Sequence, residues 1–172
     1  MMITLVFIHG LDSSSRGTKG SFFRERYRKM ILEDYTGHLE ARMAKLERDL
    51  AGKSNLIIVG SSYGGLMATL FACSNESRIR RLILLAPALE HGNFSTFAGP
   101  PLQIPVTLYH GRHDTVVPPE PTHQIATRLF GNLDHHIVED EHNLRRTFLN
   151  LDWNSLLDIS EKDLLDNAGA IP

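Results

Sequence analysis

Cysteine is nearly absent from this sequence. Only one of the 172 residues, Cys73, is a cysteine, which excludes an internal disulfide and a zinc site built from four thiolates. Cys73 falls in an apolar stretch that favours a helix, where a lone thiol serves as a small core residue.

A dominant charge and a long apolar run are also missing. The formal net charge is −2, too small to attract nucleic acid or an anionic lipid surface, so we expect a small-molecule substrate and no nucleic-acid partner. No segment reaches the ~20 apolar residues of a membrane-spanning helix. Residues 1–8 are apolar but lack the basic flank and the small-residue cleavage site of a signal peptide. We interpret them as the first strand and expect a cytoplasmic protein.

Phosphate-binding signatures are absent as well. The sequence contains neither G-x-G-x-x-G nor G-x-x-x-x-G-K-[ST], so nothing indicates a dinucleotide or nucleoside triphosphate site, and we expect no cofactor. A hydrophobic content of 42% with 22% charged residues is typical of a globular protein. The length predicts a single domain over residues 1–172, with a polar, peripheral tail from about residue 158.

The most informative stretch that is present lies between residues 56 and 66. Residues 56–59 are apolar and predict a buried strand. Residues 60–64, Gly-Ser-Ser-Tyr-Gly, fit the G-x-S-x-G nucleophile elbow with Ser62 at its tip. Glycine at Gly60 and Gly64 removes the Cβ atoms that would crowd such a sharp turn.

A helix is predicted directly after this turn. Its apolar residues recur at helical spacing: Leu66, Met67, Leu70 and Phe71. The N-terminus of such a helix directs free N–H groups to the place where negative charge would develop beside a serine. Ser61 is the competing nucleophile, but only Ser62 has glycines two positions away on both sides.

Strands and helices alternate along the chain. The predicted strands are residues 3–8, 30–32, 56–59, 82–86, 106–109 and 135–139. The predicted helices cover residues 21–27, 39–50 (capped by Thr36 and ended by Gly52), 119–130 and 144–151, besides the one after Ser62. This alternation predicts an α/β protein with a three-layer, doubly wound, mainly parallel sheet and right-handed crossovers.

Chemistry-bearing residues follow three of these strands. Ser62 comes after the third strand, Asp114 after the fifth and His142 after the sixth. Ligands and reacting groups gather at the carboxyl ends of the strands in such sheets, so we expect the three side chains to meet. Serine, acid and then histidine is also the chain order of α/β-hydrolases.

The motifs around these residues resemble those of small serine hydrolases of the α/β-hydrolase superfamily, from residue 3 to about residue 151. His9-Gly10 is similar to the family's His-Gly after the strand of the oxyanion loop. Gly111-x-x-Asp114-x-x-Val117-Pro118 is similar to its acid loop, and His142 stands where the family has its histidine.

The resemblance implies an enzyme that hydrolyses carboxylic esters or thioesters through an acyl-serine. Ser62 would be the nucleophile, His142 the base, and Asp114 the group that orients the imidazole. The backbone N–H groups of Leu11 and Tyr63 would form the oxyanion hole.

The resemblance also implies the strand order 2-1-3-4-5-6. The antiparallel strands that open larger members are missing, and the usual lid position holds only residues 88–104. We therefore expect a minimal hydrolase without a cap domain.

Several alternatives remain at this stage. The same residues would serve an amidase or peptidase, and a binding protein could keep the fold without turnover. Asp12 and Asp140 are alternative acids. His110-x-x-His113-Asp114 could be read as metal ligands, but nothing elsewhere completes a zinc signature, so we expect no metal.

Most of the nine histidines have ordinary structural interpretations. His9 and His110 end strands, so we expect both to be hydrogen-bonded supporting groups. We expect His135 and His136 on opposite faces of their strand. His38 and His123 are interpreted as surface residues of helices.

Overall fold

Six parallel strands form one sheet in the computed structural model, which describes residues 2–94, 97 and 99–160. The strands are β1 (Thr4–Ile8), β2 (Ile31–Leu32), β3 (Leu56–Ser61), β4 (Ile79–Leu85), β5 (Val106–Gly111) and β6 (Leu133–Val138). Their order is β2-β1-β3-β4-β5-β6, and each neighbouring pair is parallel. The predicted topology is confirmed.

Helices cover both faces of this sheet. They are α1 (Thr18–Arg26), α2 (Leu39–Asp49), α3 (Tyr63–Asn75), α4 (Pro119–Leu129), α5 (Arg145–Asn150) and α6 (Trp153–Leu156). Because side chains alternate along a strand, β1 sends Val6 to one core and Phe7 to the other. The result is the three-layer α/β architecture expected from the sequence.

One core lies under α2, α3 and α4 and contains Leu46, Phe71 and Ala126. The other lies under α1, α5 and α6, where Phe23 packs edge-on against Phe148 and Trp153 with ring centroids 5.5 and 4.8 Å apart. We call Phe23, Phe148 and Trp153 the aromatic cluster. It joins α1 to α5 and α6.

The start of α1 and the N-cap of α2 differ from the prediction. Helix α1 begins at Thr18, three residues before the predicted start. Helix α2 has His38 as its N-cap rather than Thr36, because Gly37 adopts a positive φ of 84° that turns the chain between them. The predicted cap at Thr36 is therefore wrong.

The end of the described chain packs more closely than predicted. Helix α6 was not predicted, and it begins where the Asp152 carboxylate accepts a hydrogen bond from Ser155 N at 3.1 Å. Asp158 pairs with Arg80 and Arg81, and Ile159 packs against the core under α6. Residues up to 159 therefore pack against the rest of the domain, and the predicted tail beyond residue 160 lies outside the described residues.

The connection from β4 to β5 is short and irregular. Its described part contains a single 3-10 turn, Leu89–His91, and Leu102 forms an isolated bridge with Phe130. The described residues of this segment build no further layer above the sheet. None of the helices in the described ranges has the length and apolar character needed to span a membrane.

Candidate active site

Ser62 occupies a strained backbone conformation between β3 and α3. Its φ and ψ are 55° and −117°, a region that residues with a side chain rarely adopt. Neighbouring groups hold it there: Ser62 N donates to Leu85 O at 2.9 Å, and Ser62 O accepts from Gly65 N and Ala88 N. This is the geometry expected of a nucleophile elbow.

The two motif glycines allow this turn to pack against its neighbours. A Cβ on Gly60 would lie 2.6 Å from Gly64 O, so these two positions crowd each other as predicted. A Cβ on Gly64 would collide with Ile8 O and lie 2.6 Å from His9 O. Close packing against β1 therefore requires glycine at position 64. The sequence did not predict this contact.

His142 connects Ser62 to Asp114. Its Nε2 lies 3.0 Å from Ser62 Oγ, and its Nδ1 lies 2.7 Å from Asp114 Oδ2. An ionised carboxylate only accepts, so Nδ1 carries the proton and Nε2 is free to accept from the serine hydroxyl. The structure therefore brings together the three side chains predicted from the sequence, with Ser62 rather than Ser61 opposite the imidazole.

The Asp114 carboxylate is fully enclosed, and both of its oxygens have partners. Oδ1 accepts from Val116 N at 2.9 Å and from Val117 N at 2.8 Å. Oδ2 faces His142 and also lies 3.2 Å from His110 Nε2. His110 is buried, and its Nε2 is 2.9 Å from Val117 O. His110 is a supporting group, as expected.

The predicted oxyanion loop lies beside the serine. A Cβ on Gly10 would be 3.4 Å from Ser62 Cβ, so a side chain at this position would crowd the nucleophile. His9 is buried, and its Nε2 accepts from Tyr35 N at 2.9 Å. Leu11 and Tyr63 line the same cleft as Ser62. Tyr63 begins α3, so its N–H has no acceptor within the helix.

The alternative acids have other surroundings. Asp140 accepts backbone hydrogen bonds from Glu141 N and Thr147 N, both at 2.9 Å. Burial alone would raise its pKa, but these hydrogen bonds lower it, and the carboxylate holds the loop that carries His142. Asp12 is exposed on the rim of the cleft. Neither carboxylate occupies the position of Asp114.

The predicted metal-ligand alternative is not assembled. His113 Nε2 lies 2.9 Å from Glu139 Oε2 on the surface, while His110 points inward at Asp114 and Val117. Hydrogen bonds from His113 and Arg112 lower the pKa of Glu139. Within the described ranges, no three His, Cys, Asp or Glu side chains are grouped as metal ligands.

The remaining histidines are distributed mostly as predicted. His136 stacks on Tyr109 at one face of β6, and His135 lies against α4 at the other. His38 is exposed. His123 lies at the surface of α4 but is half-buried, because its Nδ1 lies 2.7 Å from His135 Nδ1. The amphipathic pattern of α4 did not reveal this contact, which depends on the edge strand beside it.

A cleft of about 380 Å³ opens above Ser62. Exposed Leu11 and Val116 supply apolar surface at its rim. Lys19, His91 and Asn143 also line it, and of these Lys19 and Asn143 were not singled out from the sequence. The only signal for Lys19 in the sequence was its position close after the loop that follows β1.

The sequence matches the family described as alpha/beta hydrolase fold over residues 8–102, more than half of the chain. The chain belongs to this family. The fold, the strand order and the family match thus agree with the resemblance recognised in the sequence. A comparison with curated protein sequences finds no match.

Solved structures share the whole architecture at low sequence identity. Mouse alpha/beta hydrolase domain-containing protein 10 is 19% identical, with a TM-score of 0.72 over 96% of this chain and 90% of that one. Est1E of Butyrivibrio proteoclasticus, solved with ferulic acid, is 16% identical, with a TM-score of 0.70 over 91% and 87%. An esterase of Pyrococcus furiosus is 17% identical, with a TM-score of 0.65 over 95% and 82%. At these identities the likeness shows the fold alone.

Proposed function

We propose that this protein is a serine hydrolase that cleaves carboxylic esters or thioesters through an acyl-Ser62 intermediate. The observation that carries the proposal is the continuous chain of contacts from Ser62 Oγ through the His142 imidazole to Asp114, at 3.0 and 2.7 Å. The strained turn at Ser62 and the family match support it. Esterases among the structural neighbours favour ester chemistry.

The residues act in sequence. His142 Nε2 takes the proton of Ser62 as Oγ attacks the substrate carbonyl carbon, and the imidazolium then gives this proton to the leaving alcohol or thiol. Water hydrolyses the acyl-serine by the same route in reverse, with His142 removing its proton. Asp114 fixes the imidazole tautomer and stabilises the imidazolium without taking the proton.

The oxyanion formed in each step needs donors that are already in place. We assign this role to the backbone N–H groups of Leu11 and Tyr63, each worth about 3–4 kcal/mol of transition-state stabilisation in comparable sites. His9, Gly10, Gly60 and Gly64 support the arrangement by holding the loop and admitting its close packing. None of these steps uses a metal or an organic cofactor.

The cleft favours small acyl substrates. It is open, and exposed Leu11 and Val116 supply apolar surface at its rim, so a short or flexible acyl group fits better than a long chain that needs burial. We further propose that the chain acts as a single domain in the cytoplasm on a small-molecule substrate.

Covalent labelling and turnover test the proposal together. A fluorophosphonate should label the wild type and Ser61→Ala but not Ser62→Ala, and Ser62→Ala should lower kcat on p-nitrophenyl butanoate by about 10⁴-fold or more. EDTA should leave this turnover unchanged. Absence of labelling would favour a binding protein, and faster cleavage of anilides than of matched esters and thioesters would favour an amidase.

A further inference from the structure

A second cavity of about 330 Å³ lies next to the cleft above Ser62. Three residues, Thr18, Lys19 and Asn143, line both spaces. The second cavity is completed by Arg145, Phe148 and Leu149. A substrate whose carbonyl lies at Ser62 and that reaches past Asn143, the residue after His142, would meet a space lined by two cationic side chains.

Lys19 has unused donors at this junction. Its half-buried side chain places Nζ 2.7 Å from Asn143 O and 5.6 Å from the ring centroid of Phe148. Burial lowers the pKa of Lys19 and the nearby Arg145 charge lowers it further, while Asp140 acts in the opposite direction. An ammonium group has three donors, and among the described residues the bond to Asn143 O is the one that uses a donor of Lys19.

Nearby carboxylates offset these two cations only in part, since the Asp140 charge raises the pKa of Lys19 without contacting it as an ion pair. Lys19 and Arg145 form no ion pair within the described ranges. The Asp140 carboxylate is occupied by backbone N–H groups of its own loop. Asp12 lines the cleft without pairing to Lys19. The junction is thus complementary to an anion.

We propose that the substrate of this hydrolase carries a carboxylate, which Lys19 Nζ and the Arg145 guanidinium bind while the ester or thioester carbonyl lies at Ser62; this assignment rests on the proposed serine hydrolase. A hydrogen bond between charged partners is shorter and stronger than a neutral one. Partial burial of Lys19 strengthens it further, because the charge is less screened by water.

The test uses two pairs of esters that differ only in charge. One pair places the charge on the acyl group, p-nitrophenyl hemisuccinate against p-nitrophenyl methyl succinate. The other places it on the leaving group, p-carboxyphenyl butanoate against p-carbamoylphenyl butanoate. The measured quantity is the ratio of kcat/KM for the anionic ester to that for its neutral partner. The pair that responds tells which end of the substrate reaches Lys19.

Variants of the two cations are compared with matched surface changes. In one of the pairs, Lys19→Met should lower the ratio by about ten- to hundred-fold, mainly through KM, and Arg145→Gln should lower it by less. Salt should lower the wild-type ratio because the subsite is partly exposed. The exposed residues Lys29 and Arg146 supply the controls Lys29→Met and Arg146→Gln, which should leave the ratio unchanged.

Other outcomes overturn the subsite. Lys19→Met could slow both members of each pair equally, which would mean that Lys19 only positions the Asn143 loop. Ratios that stay unchanged in both Lys19→Met and Arg145→Gln would also reject the proposal. If Lys19→Met folds poorly, Arg145→Gln still provides the test, because the Arg145 side chain is exposed. If the wild type is labelled at Ser62 but shows no preference for the anionic esters, only the proposed subsite is rejected. If the wild type is not labelled, the proposed hydrolase itself is rejected.

Discussion

The buried imidazole of His110 lies with Nε2 3.2 Å from Oδ2 of Asp114, the carboxylate oxygen that also faces His142. The same Nε2 is 2.9 Å from Val117 O, so His110 connects β5 to the far end of the loop that holds Asp114. Asp114 is therefore fixed from two sides, by backbone N–H groups on Oδ1 and by histidines on Oδ2.

Replacing His110 should weaken both the fold and the site. In His110→Phe the buried Val117 carbonyl loses its donor, and we expect the free energy of unfolding to fall by about 1–3 kcal/mol. Because the loop also positions Asp114, kcat on an activated ester should fall as well. Urea unfolding and steady-state kinetics measure the two effects. Unchanged kcat in a destabilised variant would limit His110 to a structural role.

Asp114→Asn should show that Asp114 orients the His142 imidazole without being needed for folding. A carboxamide can donate to His142 Nδ1 and so favour the tautomer with the proton on Nε2, which no longer accepts from Ser62. We expect kcat to fall by about 10⁴-fold with little change in the thermal unfolding midpoint. Asp140→Asn is the matched control on an alternative acid. A larger loss of kcat in that control would reassign the acid.

The packing of the elbow can be tested with two glycines. A Cβ on Gly64 would overlap the carbonyls of β1, so Gly64→Ala should lower the free energy of unfolding by about 3 kcal/mol or more. Gly52 has a positive φ of 69° but open space around it, so Gly52→Ala should cost only about 1–2 kcal/mol. Urea unfolding measures both, and equal costs would contradict the close contact with β1.

The pKa of His135 links stability to pH. Burial lowers this pKa to about 4, and His123, His110 and His136 act in the same direction, against Asp134. In the unfolded chain histidine titrates near pH ~6.5. Between these values the unfolded chain binds a proton that the folded protein does not, so the free energy of unfolding should fall as pH drops from about 6.5 to about 4.

His135→Gln should reduce this slope, which urea unfolding at a series of pH values measures. The exposed side chain of His38 provides the control His38→Gln, which should leave the slope unchanged. A slope that persists in full after His135→Gln would mean that other groups carry the pH dependence.

The sequence predicted the fold and the positions of Ser62, Asp114 and His142 because both depend on local signals. Parallel strands are short apolar runs, and their carboxyl ends meet at one edge of the sheet, so residues just after the strands can be grouped without coordinates. The spacing of Gly60 and Gly64 predicted the sharp turn at Ser62. These signals say which strand a residue follows and little else.

Such local signals could not predict contacts between segments that are distant in the sequence. Lys19 reaches Asn143 across 124 positions of sequence, and its place in the cleft depends on how α1 and the His142 loop pack together. The His123–His135 contact likewise depends on an edge strand beside a helix. Helix α6 was missed because a four-residue helix has too few positions to display a period.

The aromatic cluster has a consequence for the order in which the protein becomes competent during synthesis. Ser62 leaves the ribosome 80 residues before His142, and the loop carrying His142 leads directly into α5, whose Phe148 packs on Trp153 and Phe23. A nascent chain that ends before Trp153 contains Ser62, Asp114 and His142 but lacks the ring that completes this core. We therefore expect the loop carrying His142 to reach its final position only after Trp153 has been synthesised, so that the proposed active site forms in one step and not gradually along the chain.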